Sequence, residues 1–232
     1  MFTHLLHSHR KYLYKFADGV IAQTAEIKES VEKDTGNKKV RVIQNPVRSF
    51  HVDERLQREK IVLNIGALTT RKGQRFFIEA CARINSPDWK FIILGEGELR
   101  TNLENLIKEY GVQDKVQLMG AVKNIDEWLL KSSIFVFPSV LEGLPNSLIE
   151  SMSAGLACVS FDCETGPRDL INDGKNGFLV PVRDIDLLTL RISELMKSEE
   201  LRKEFSKEAM KSTKKLHISY ISQEVLDFCT EV

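Results

Sequence analysis

Apolar segments of three to five residues alternate with amphipathic patterns along most of the chain. Continuous apolar segments are typical of strands that are buried on both faces of a parallel sheet. They predict five strands, at residues 61–65, 90–94, 116–118, 134–137 and 157–161. Residues 74–84 and 99–110 repeat apolar side chains at three-four spacing, which predicts helices between the strands. This alternation favours an α/β fold in which helices cover a parallel sheet.

The two ends of the chain differ from this central pattern. Residues 185–196, 199–214 and 222–228 predict terminal helices, which we assign together with the sheet to a domain of residues 60–232. Residues 1–48 predict an amphipathic helix, a helix at 26–32 and short strands at 20–22 and 40–43. Asn45-Pro46 and the charged stretch 53–60 are typical of a linker, which we place at residues 49–59. We interpret residues 1–48 as a short remnant of a second α/β domain.

The composition excludes several classes of protein. The 232 residues include 33 basic and 33 acidic side chains, so the formal net charge is zero, and 42% of the residues are hydrophobic. A disordered chain is poorer in apolar residues, and this charge balance gives no basic footprint for nucleic acid. With no signal peptide and no apolar stretch of about 18 residues, we expect a cytoplasmic protein. Arg10, Lys11 and Lys15 leave open a peripheral contact with the inner face of the membrane.

Neither the cysteines nor the histidines predict a reactive or metal site. The four cysteines form no C-x-x-C pair and lie in or beside apolar segments: Cys81, Cys158, Cys163 and Cys229. We expect them to be buried free thiols in a reducing compartment. Three histidines near the amino terminus have no further ligands at a recognisable spacing: His4, His7 and His9.

The most informative segment runs from Pro138 to Gly155. A predicted strand ends at Pro138, a loop carries Glu142, and a helix capped by Asn146 or Ser147 follows. Backbone N–H groups and the helix dipole favour an anion at such a helix start in an open parallel sheet. A carboxylate can accept hydrogen bonds from two neighbouring hydroxyls, so Glu150 suits a ribose and Glu142 a sugar ring. The alternative interpretation is that Glu142 is a solvated loop residue and Glu150 a surface residue of the helix.

Two further loops follow predicted strands. Residues 66–74, GALTTRKGQ, combine small residues with Arg71 and Lys72, which suits an approach to phosphate, although such basic pairs are usually only solvated. The Walker pattern is absent. Residues 95–100, GEGELR, resemble the start of a dinucleotide fingerprint, but Arg100 stands where the third glycine is required.

Taken together, these loops resemble a known family. VQLMGAV, then IFVFPSVLEGLPNSLIESMSAGLACVSFD, then GPRDLINDGKNGFLVP are similar to the carboxyl-terminal domain of the retaining glycosyltransferases of family four. Glu142 and Glu150 stand as that family's pair of glutamates. ADGVIAQT and VIQNPV look like the close of the family's amino-terminal acceptor domain, so the resemblance covers almost the whole chain.

The resemblance implies a GT-B architecture of two Rossmann-like domains, of which this chain holds the donor-binding half and only a remnant of the other. Lys72 and the amides from Asn146 to Leu148 would hold the donor diphosphate, while Glu142 would contact the sugar and Glu150 the ribose. The implied catalytic residues are Glu142, Lys72 and Arg71. The implied donor-binding residues are Gly66, Lys72, Gly120, Ala121, Val122, Glu142, Gly143, Asn146, Ser147, Leu148 and Glu150.

The resemblance also implies the chemistry. The departing diphosphate would take the acceptor proton on the same face of the sugar, and basic side chains with a helix start would replace a metal. No cofactor is therefore expected, and the nucleotide sugar is a substrate. Two positions depart from the family pattern: Ala67 stands where an arginine is common, and Asp169 where a glutamate is common.

These observations favour a retaining glycosyltransferase that uses UDP-GalNAc, UDP-Gal or UDP-GlcNAc and a glycan or lipid-linked acceptor in surface polysaccharide synthesis. The alternative is a truncated nucleotide-sugar-binding module with no catalysis of its own, which could pair with a separate amino-terminal half. A GT-B epimerase fits the glutamate pair and the following loop less well.

Overall fold

The computed structural model describes residues 12–50, 52 and 57–231. The strands of this part of the chain are β1 (Val20–Ala22), β2 (Val40–Val42), β3 (Ile61–Ile65), β4 (Lys90–Leu94), β5 (Val116–Gly120), β6 (Ile134–Phe137), β7 (Ala157–Phe161) and β8 (Phe178–Val180). The helices are α1 (Ala25–Thr35), α2 (Gln74–Arg83), α3 (Arg100–Glu109), α4 (Ile125–Lys131), α5 (Asn146–Ser153), α6 (Pro167–Leu170), α7 (Ile185–Lys197), α8 (Glu199–Thr213) and α9 (Ile218–Glu231). The five strands predicted between residues 61 and 161 are confirmed.

The described residues divide into two compact units, one within 48–214 and one formed by 12–47 together with 215–231. The larger unit contains a parallel sheet with the strand order β5-β4-β3-β6-β7-β8. The chain leaves β3 toward one edge of the sheet and starts again at β6 toward the other edge. The predicted α/β class is confirmed, and the order reverses between β3 and β6.

Both faces of this sheet are buried, which explains why its strands read as continuous apolar segments. Successive residues on β4 belong to opposite faces, with Phe91 and Ile93 in one cluster and Ile92 in the other. The first cluster includes side chains of α2, α3 and α7, and the second includes side chains of α4 and α5. The helices therefore cover the sheet on both sides.

Residues of the predicted 49–59 linker are packed in the larger unit. The guanidinium of Arg58 donates to the carbonyl oxygens of Leu129, Leu130 and Ser132 at 2.9, 3.0 and 2.7 Å, and also to that of Ala154. These carbonyls lie at the carboxyl-terminal ends of α4 and α5, where no helical N–H remains to bind them. Arg58 thus closes two helices at once, and burial lowers its pKa to about 10.

The smaller unit contains the parallel pair β1 and β2, with α1 and α9. The backbone of Val47 bridges to His217, and Arg41 forms an ion pair with Glu231 and lies 4.8 Å from the centre of the Phe228 ring. The sequence assigned residues 215–232 to the domain of residues 60–232, whereas the structure groups residues 215–231 with residues 12–47.

Two other elements differ from expectation. Strand β8 was not predicted, because it directly follows a glycine-containing turn. Helix α9 begins at Ile218 rather than at residue 222. The predicted first helix is helical at residues 12–15, and its earlier part, with Arg10 and Lys11, lies outside the described residues, as do His4, His7 and His9.

Two further expectations concern the cysteines and membrane-spanning helices. Cys81, Cys158 and Cys163 are buried as free thiols, but the expectation was wrong for Cys229, which is exposed on α9. In the described part of the chain, no helix combines the length and the apolar character that crossing a membrane requires.

Candidate active site

The loops after β3 and β6 meet where the strand order of the larger unit reverses. In open α/β sheets this position forms a crevice outside the carboxyl ends of the strands, and ligands bind there. The β3 loop carries Arg71 and Lys72, and the β6 loop carries Glu142. The topology therefore brings together the three residues that the sequence predicts as catalytic.

Lys72 and Glu142 form an ion pair between these two loops. The Lys72 Nζ lies 2.6 Å from Glu142 Oε1, and the exposed fractions of the two side chains are 27% and 6%. The same Nζ lies 5.7 Å from the centre of the Phe137 ring, within reach of a cation–π interaction. A cation that is partly accessible beside a buried carboxylate can accept a second anion from solvent.

The two loops are fixed to each other by their backbones. The amide of Val140 donates to the carbonyl of Arg71 at 2.8 Å. Gly73 has φ = 66°, and a Cβ at this position would come within 2.0 Å of the Pro138 carbonyl oxygen. Only glycine permits this approach, so Gly73 determines how closely Lys72 is held to the β6 loop.

Gln74 is a buried residue of this site that the sequence interpretation missed. Its Nε2 donates to the carbonyl oxygens of Gly66 and Ala67 at 3.4 and 3.0 Å, and 1% of the residue is exposed. It therefore holds the first turn of the β3 loop. A polar residue at a core-facing position of a predicted helix is the signal that could have revealed it.

The glycines of GEGELR have a packing role. A Cβ at Gly95 would lie 2.0 Å from the Gly66 carbonyl oxygen, and a Cβ at Gly97 would lie 2.5 Å from that of Leu68. The amide of Leu68 also donates to the carbonyl of Glu96 at 2.9 Å. This close approach of two loop backbones accounts for the glycines without a dinucleotide.

The loop after β7 contacts the β6 loop, which carries Glu142. The hydroxyl of Thr165 donates to the backbone carbonyl of Glu142. A Cβ at Gly166 would come within 2.5 Å of Pro145 Cδ, so this glycine also permits a close approach. Burial and the Glu142 carboxylate raise the pKa of the Cys163 thiol to about 11, which keeps it protonated.

The start of α5 differs from the sequence prediction. Pro145 occupies the position before the helix, and neither Asn146 nor Ser147 caps it with a side chain, so that prediction was wrong. The amide of Asn146 donates to the Leu144 carbonyl at 3.0 Å, and that of Leu148 donates to the Pro145 carbonyl at 2.9 Å. Of the amides at 146–148, only that of Ser147 is without such a bond within the described residues.

Glu150 lies on the second turn of α5, with 30% of its side chain exposed. The Arg48 guanidinium is 3.7 Å from Glu150 Oε1 and 3.0 Å from Asp126 Oδ1. Burial raises the pKa of the Glu150 carboxyl, Arg48 opposes that shift, and the Asp126 charge adds to it. The Glu150 carboxylate is therefore accessible, and Arg48 offsets only part of the rise in its pKa.

The remaining predicted donor-binding residues lie at the carboxyl-terminal end of β5 and in the β6 loop. Gly120 has φ = 78°, and its carbonyl accepts from the Gly95 amide at 2.8 Å. Ala121 is exposed and Val122 is partly buried against the core. A Cβ at Gly143 would meet nothing within 4 Å, so the structure gives no steric reason for that glycine.

Arg71 and Ala67 are both exposed. Within the described ranges the Arg71 side chain has no ion-pair partner, so its charge is available to a ligand. The lining of a cavity of about 500 Å³ includes no predicted site residue. Its lining residues are Thr70, Arg75, Phe76, Leu99, Val140 and Arg183.

The family model described as glycosyl transferases group 1 matches residues 48–212, which include every predicted donor-binding residue. The chain belongs to this family. An uncharacterized glycosyltransferase from Methanocaldococcus jannaschii is 38% identical over 69% of this chain and 44% of the relative. A Campylobacter jejuni enzyme is 31% identical over 96% of this chain and 63% of its own length. Its name is GalNAc-alpha-(1->4)-GalNAc-alpha-(1->3)-diNAcBac-PP-undecaprenol alpha-1,4-N-acetyl-D-galactosaminyltransferase.

Solved structures match the fold of this chain. A mutant of Staphylococcus aureus TarM, crystallised with Fondaparinux, alpha-GlcNAc-glycerol and UDP, superposes with a TM-score of 0.84 at 27% identity. The match covers 94% of this chain and 46% of that chain. The structural neighbours are GT-B glycosyltransferases. This group 1 chain spans about half the length of the curated relatives it matches.

Proposed function

We propose that this chain supplies the donor site of a retaining glycosyltransferase. The enzyme would move a sugar from UDP-GalNAc, UDP-Gal or UDP-GlcNAc to a glycan or lipid-linked acceptor in surface polysaccharide synthesis. The observation that carries the proposal is the Lys72–Glu142 pair, held at 2.6 Å at the reversal point of the sheet. The Campylobacter relative named as a galactosaminyltransferase on a diphospho-undecaprenol substrate supports the same class of reaction.

Each site residue has a role in this proposal. Lys72 and the free amide of Ser147 bind the donor diphosphate, and the exposed Arg71 adds the charge that Ala67 does not provide. Glu142 accepts hydrogen bonds from the donor sugar, and Glu150 accepts from the ribose hydroxyls. Gly66 and the backbone of residues 120–122 border the nucleotide.

The reaction breaks the bond between the anomeric carbon and the diphosphate oxygen and forms a bond to the acceptor oxygen on the same face. The acceptor proton passes to the departing diphosphate, so atoms and charge balance without a further reactant. We propose that Lys72, Arg71 and the start of α5 stabilise the leaving group in place of a metal ion. The UDP bound in the TarM crystal supports the choice of a uridine nucleotide.

Calorimetric titration of the chain with the three UDP-sugars and with GDP-mannose tests this proposal. We expect at least one UDP-sugar to bind, and GDP-mannose to bind no more tightly than that UDP-sugar. The affinity for the UDP-sugar should be the same in EDTA and in magnesium. Failure of every UDP-sugar to bind would overturn the proposal. Binding that requires magnesium would overturn its metal-independent part.

Transfer is tested separately from binding. The chain is incubated with the UDP-sugar that binds and with a lipid-linked oligosaccharide, and the anomeric configuration of the product is read by NMR. We expect the α configuration of the donor to be kept. Donor binding without transfer, even after a separate amino-terminal half is added, would instead support the nucleotide-sugar-binding module.

A further inference from the structure

Arg48 connects two helices next to the proposed ribose site. Its backbone carbonyl accepts a hydrogen bond from the Ser153 hydroxyl at 3.0 Å, which fixes its main chain to the end of α5. Its guanidinium then extends to Asp126 in the first turn of α4, at 3.0 Å, and to Glu150, at 3.7 Å. The anchored main chain limits the positions that the guanidinium can reach.

The Glu150 carboxylate lies in an environment that disfavours its negative charge. It is partly removed from water, and the carboxylate of Asp126 stands on the neighbouring helix with the same charge. Among the described residues, the charged groups that act on it are Arg48 and Asp126. Arg48 is therefore the group that offsets both the burial and the repulsion.

We propose that Arg48 is a positioning residue that keeps the Glu150 carboxylate charged and directed toward the ribose hydroxyls of the bound nucleotide. This inference rests on the proposed function, since it needs Glu150 to contact the ribose. The distance of 3.7 Å is too long for a strong hydrogen bond, which leaves both carboxylate oxygens able to accept from a ligand. Arg48 thus acts on Glu150 mainly through its charge and to a lesser extent through hydrogen bonding.

The pH dependence of nucleotide binding separates this role from a direct contact. Without Arg48, burial and Asp126 act on Glu150 unopposed, so its pKa rises further and the carboxylate protonates at a higher pH. A protonated Glu150 accepts more weakly from the ribose. Affinity should therefore begin to fall at a higher pH in Arg48→Gln than in the unchanged chain.

The experiment titrates the full chain with its best-binding UDP-sugar between about pH 5.5 and about pH 8. A UDP-sugar is preferred to UDP because its phosphates are both esterified, whereas a terminal phosphate titrates near pH 6. The variants are Arg48→Gln, Arg48→Lys and Glu150→Gln. Arg83→Gln is the matched control, because Arg83 also bridges two acids, Glu79 at 2.9 Å and Asp186 at 2.5 Å, outside the site.

We expect Arg48→Gln to bind about fivefold more weakly near pH 6 and nearly normally near pH 8. Arg48→Lys should restore most of the difference, and Arg83→Gln should match the unchanged chain. An equal loss at every pH in Arg48→Gln would overturn the inference while leaving the proposed function intact. Unchanged affinity in Glu150→Gln would remove Glu150 from the ribose and overturn that part of the proposed function.

Discussion

At the scale of single residues, the Lys72–Glu142 pair sets up a competition for one cation. Lys72 Nζ is 2.6 Å from a carboxylate that is almost completely buried, and the proposed diphosphate needs the same Nζ. Binding therefore requires Lys72 to share its charge between two anions. The release of Glu142 by the incoming diphosphate would free that carboxylate for the donor sugar.

The first prediction follows from this competition. Glu142→Gln removes the competing charge, so we expect UDP to bind more tightly by about 1 kcal/mol, or about fivefold. Transfer should fall at the same time, because the sugar contact is lost. Calorimetry with UDP and a transfer assay measure the two effects.

Glu199→Gln is the matched control, since Glu199 pairs with Lys203 at 2.7 Å on α8, outside the site. It should change neither quantity. Weaker UDP binding in Glu142→Gln would mean that Glu142 supports the diphosphate site rather than competing for Lys72.

The second prediction concerns Arg58. Its guanidinium satisfies carbonyls at the ends of α4 and α5, so Arg58→Met leaves these acceptors without a donor. We expect the free energy of unfolding to fall by about 2 to 4 kcal/mol. Urea denaturation measures the change.

Arg202→Met is the comparison, because Arg202 donates to the carbonyls of Leu195 and Met196 at the end of α7 alone. Its loss should be smaller. Equal losses would show that bridging two helices adds nothing to the stability of the larger unit.

At the residue scale, the sequence placed Lys72 and Glu142 in loops that the structure brings together, but its prediction of the α5 cap was wrong. Lys72, Glu142 and Glu150 were identified because they follow predicted strands or lie in the next helix. Asn146 or Ser147 was expected to cap α5, but Pro145 precedes the helix and no side chain caps it. Capping depends on the backbone angles of the single residue that precedes the helix. A pattern of residue types does not specify those angles.

At the scale of elements, the approach of two loops positions the site. The β3 loop passes so close to the β6 loop that Gly73 has no room for a side chain beside the Pro138 carbonyl. Lys72 immediately precedes this contact and Glu142 follows it on the other loop. Any increase in the separation of the loops lengthens the distance between the two charges.

The third prediction is that Gly73→Ala lowers both stability and UDP affinity. The left-handed backbone alone costs about 1 kcal/mol. Gly111 has nearly the same angle, φ = 65°, with nothing within 4 Å of an added Cβ. Gly111→Ala should therefore show only that cost and normal UDP binding, whereas Gly73→Ala should be less stable and bind UDP at least about tenfold more weakly.

Thermal unfolding and calorimetry on the two variants measure the difference. Equal stability and equal affinity in the two variants would contradict the assigned role of the Gly73 approach.

Element prediction succeeded where burial on both faces made the strands continuous. Strands β3, β4, β6 and β7 were predicted with the observed bounds. Strand β8 was missed because Phe178–Val180 lies at the edge of the sheet and its pairing with β7 is a long-range contact. Length alone did not hide this strand, since the three-residue segments 20–22 and 116–118 were predicted as strands; the glycine-containing turn before it gives the segment the pattern of a loop.

At the scale of the whole molecule, the end of the chain returns to its beginning. Helix α9 follows the larger unit in sequence but packs with residues 12–47, through Arg41 and Phe228. The amphipathic pattern predicted part of the helix but carried no information about its partner. Only long-range contacts determine which unit a terminal helix joins.

The fourth prediction tests this assignment. Phe228 is buried, so Phe228→Ala should destabilise the smaller unit by about 3 kcal/mol, while Leu226→Ala, at a side chain that is 59% exposed, should have little effect. Hydrogen exchange should speed up in β1 and β2 but not in β3 to β8, and UDP binding should be unchanged. Faster exchange in the sheet of the larger unit would contradict the division.

The most direct test of the central claim compares UDP with uridine on the unchanged chain and on Lys72→Ala, with Arg75→Ala, in the first turn of α2, as a nearby control. We expect Lys72→Ala to weaken UDP binding at least about tenfold and to leave uridine binding nearly unchanged, because Lys72 contacts only the phosphates. Equal losses for UDP and uridine, or none for either, would contradict a diphosphate site at Lys72.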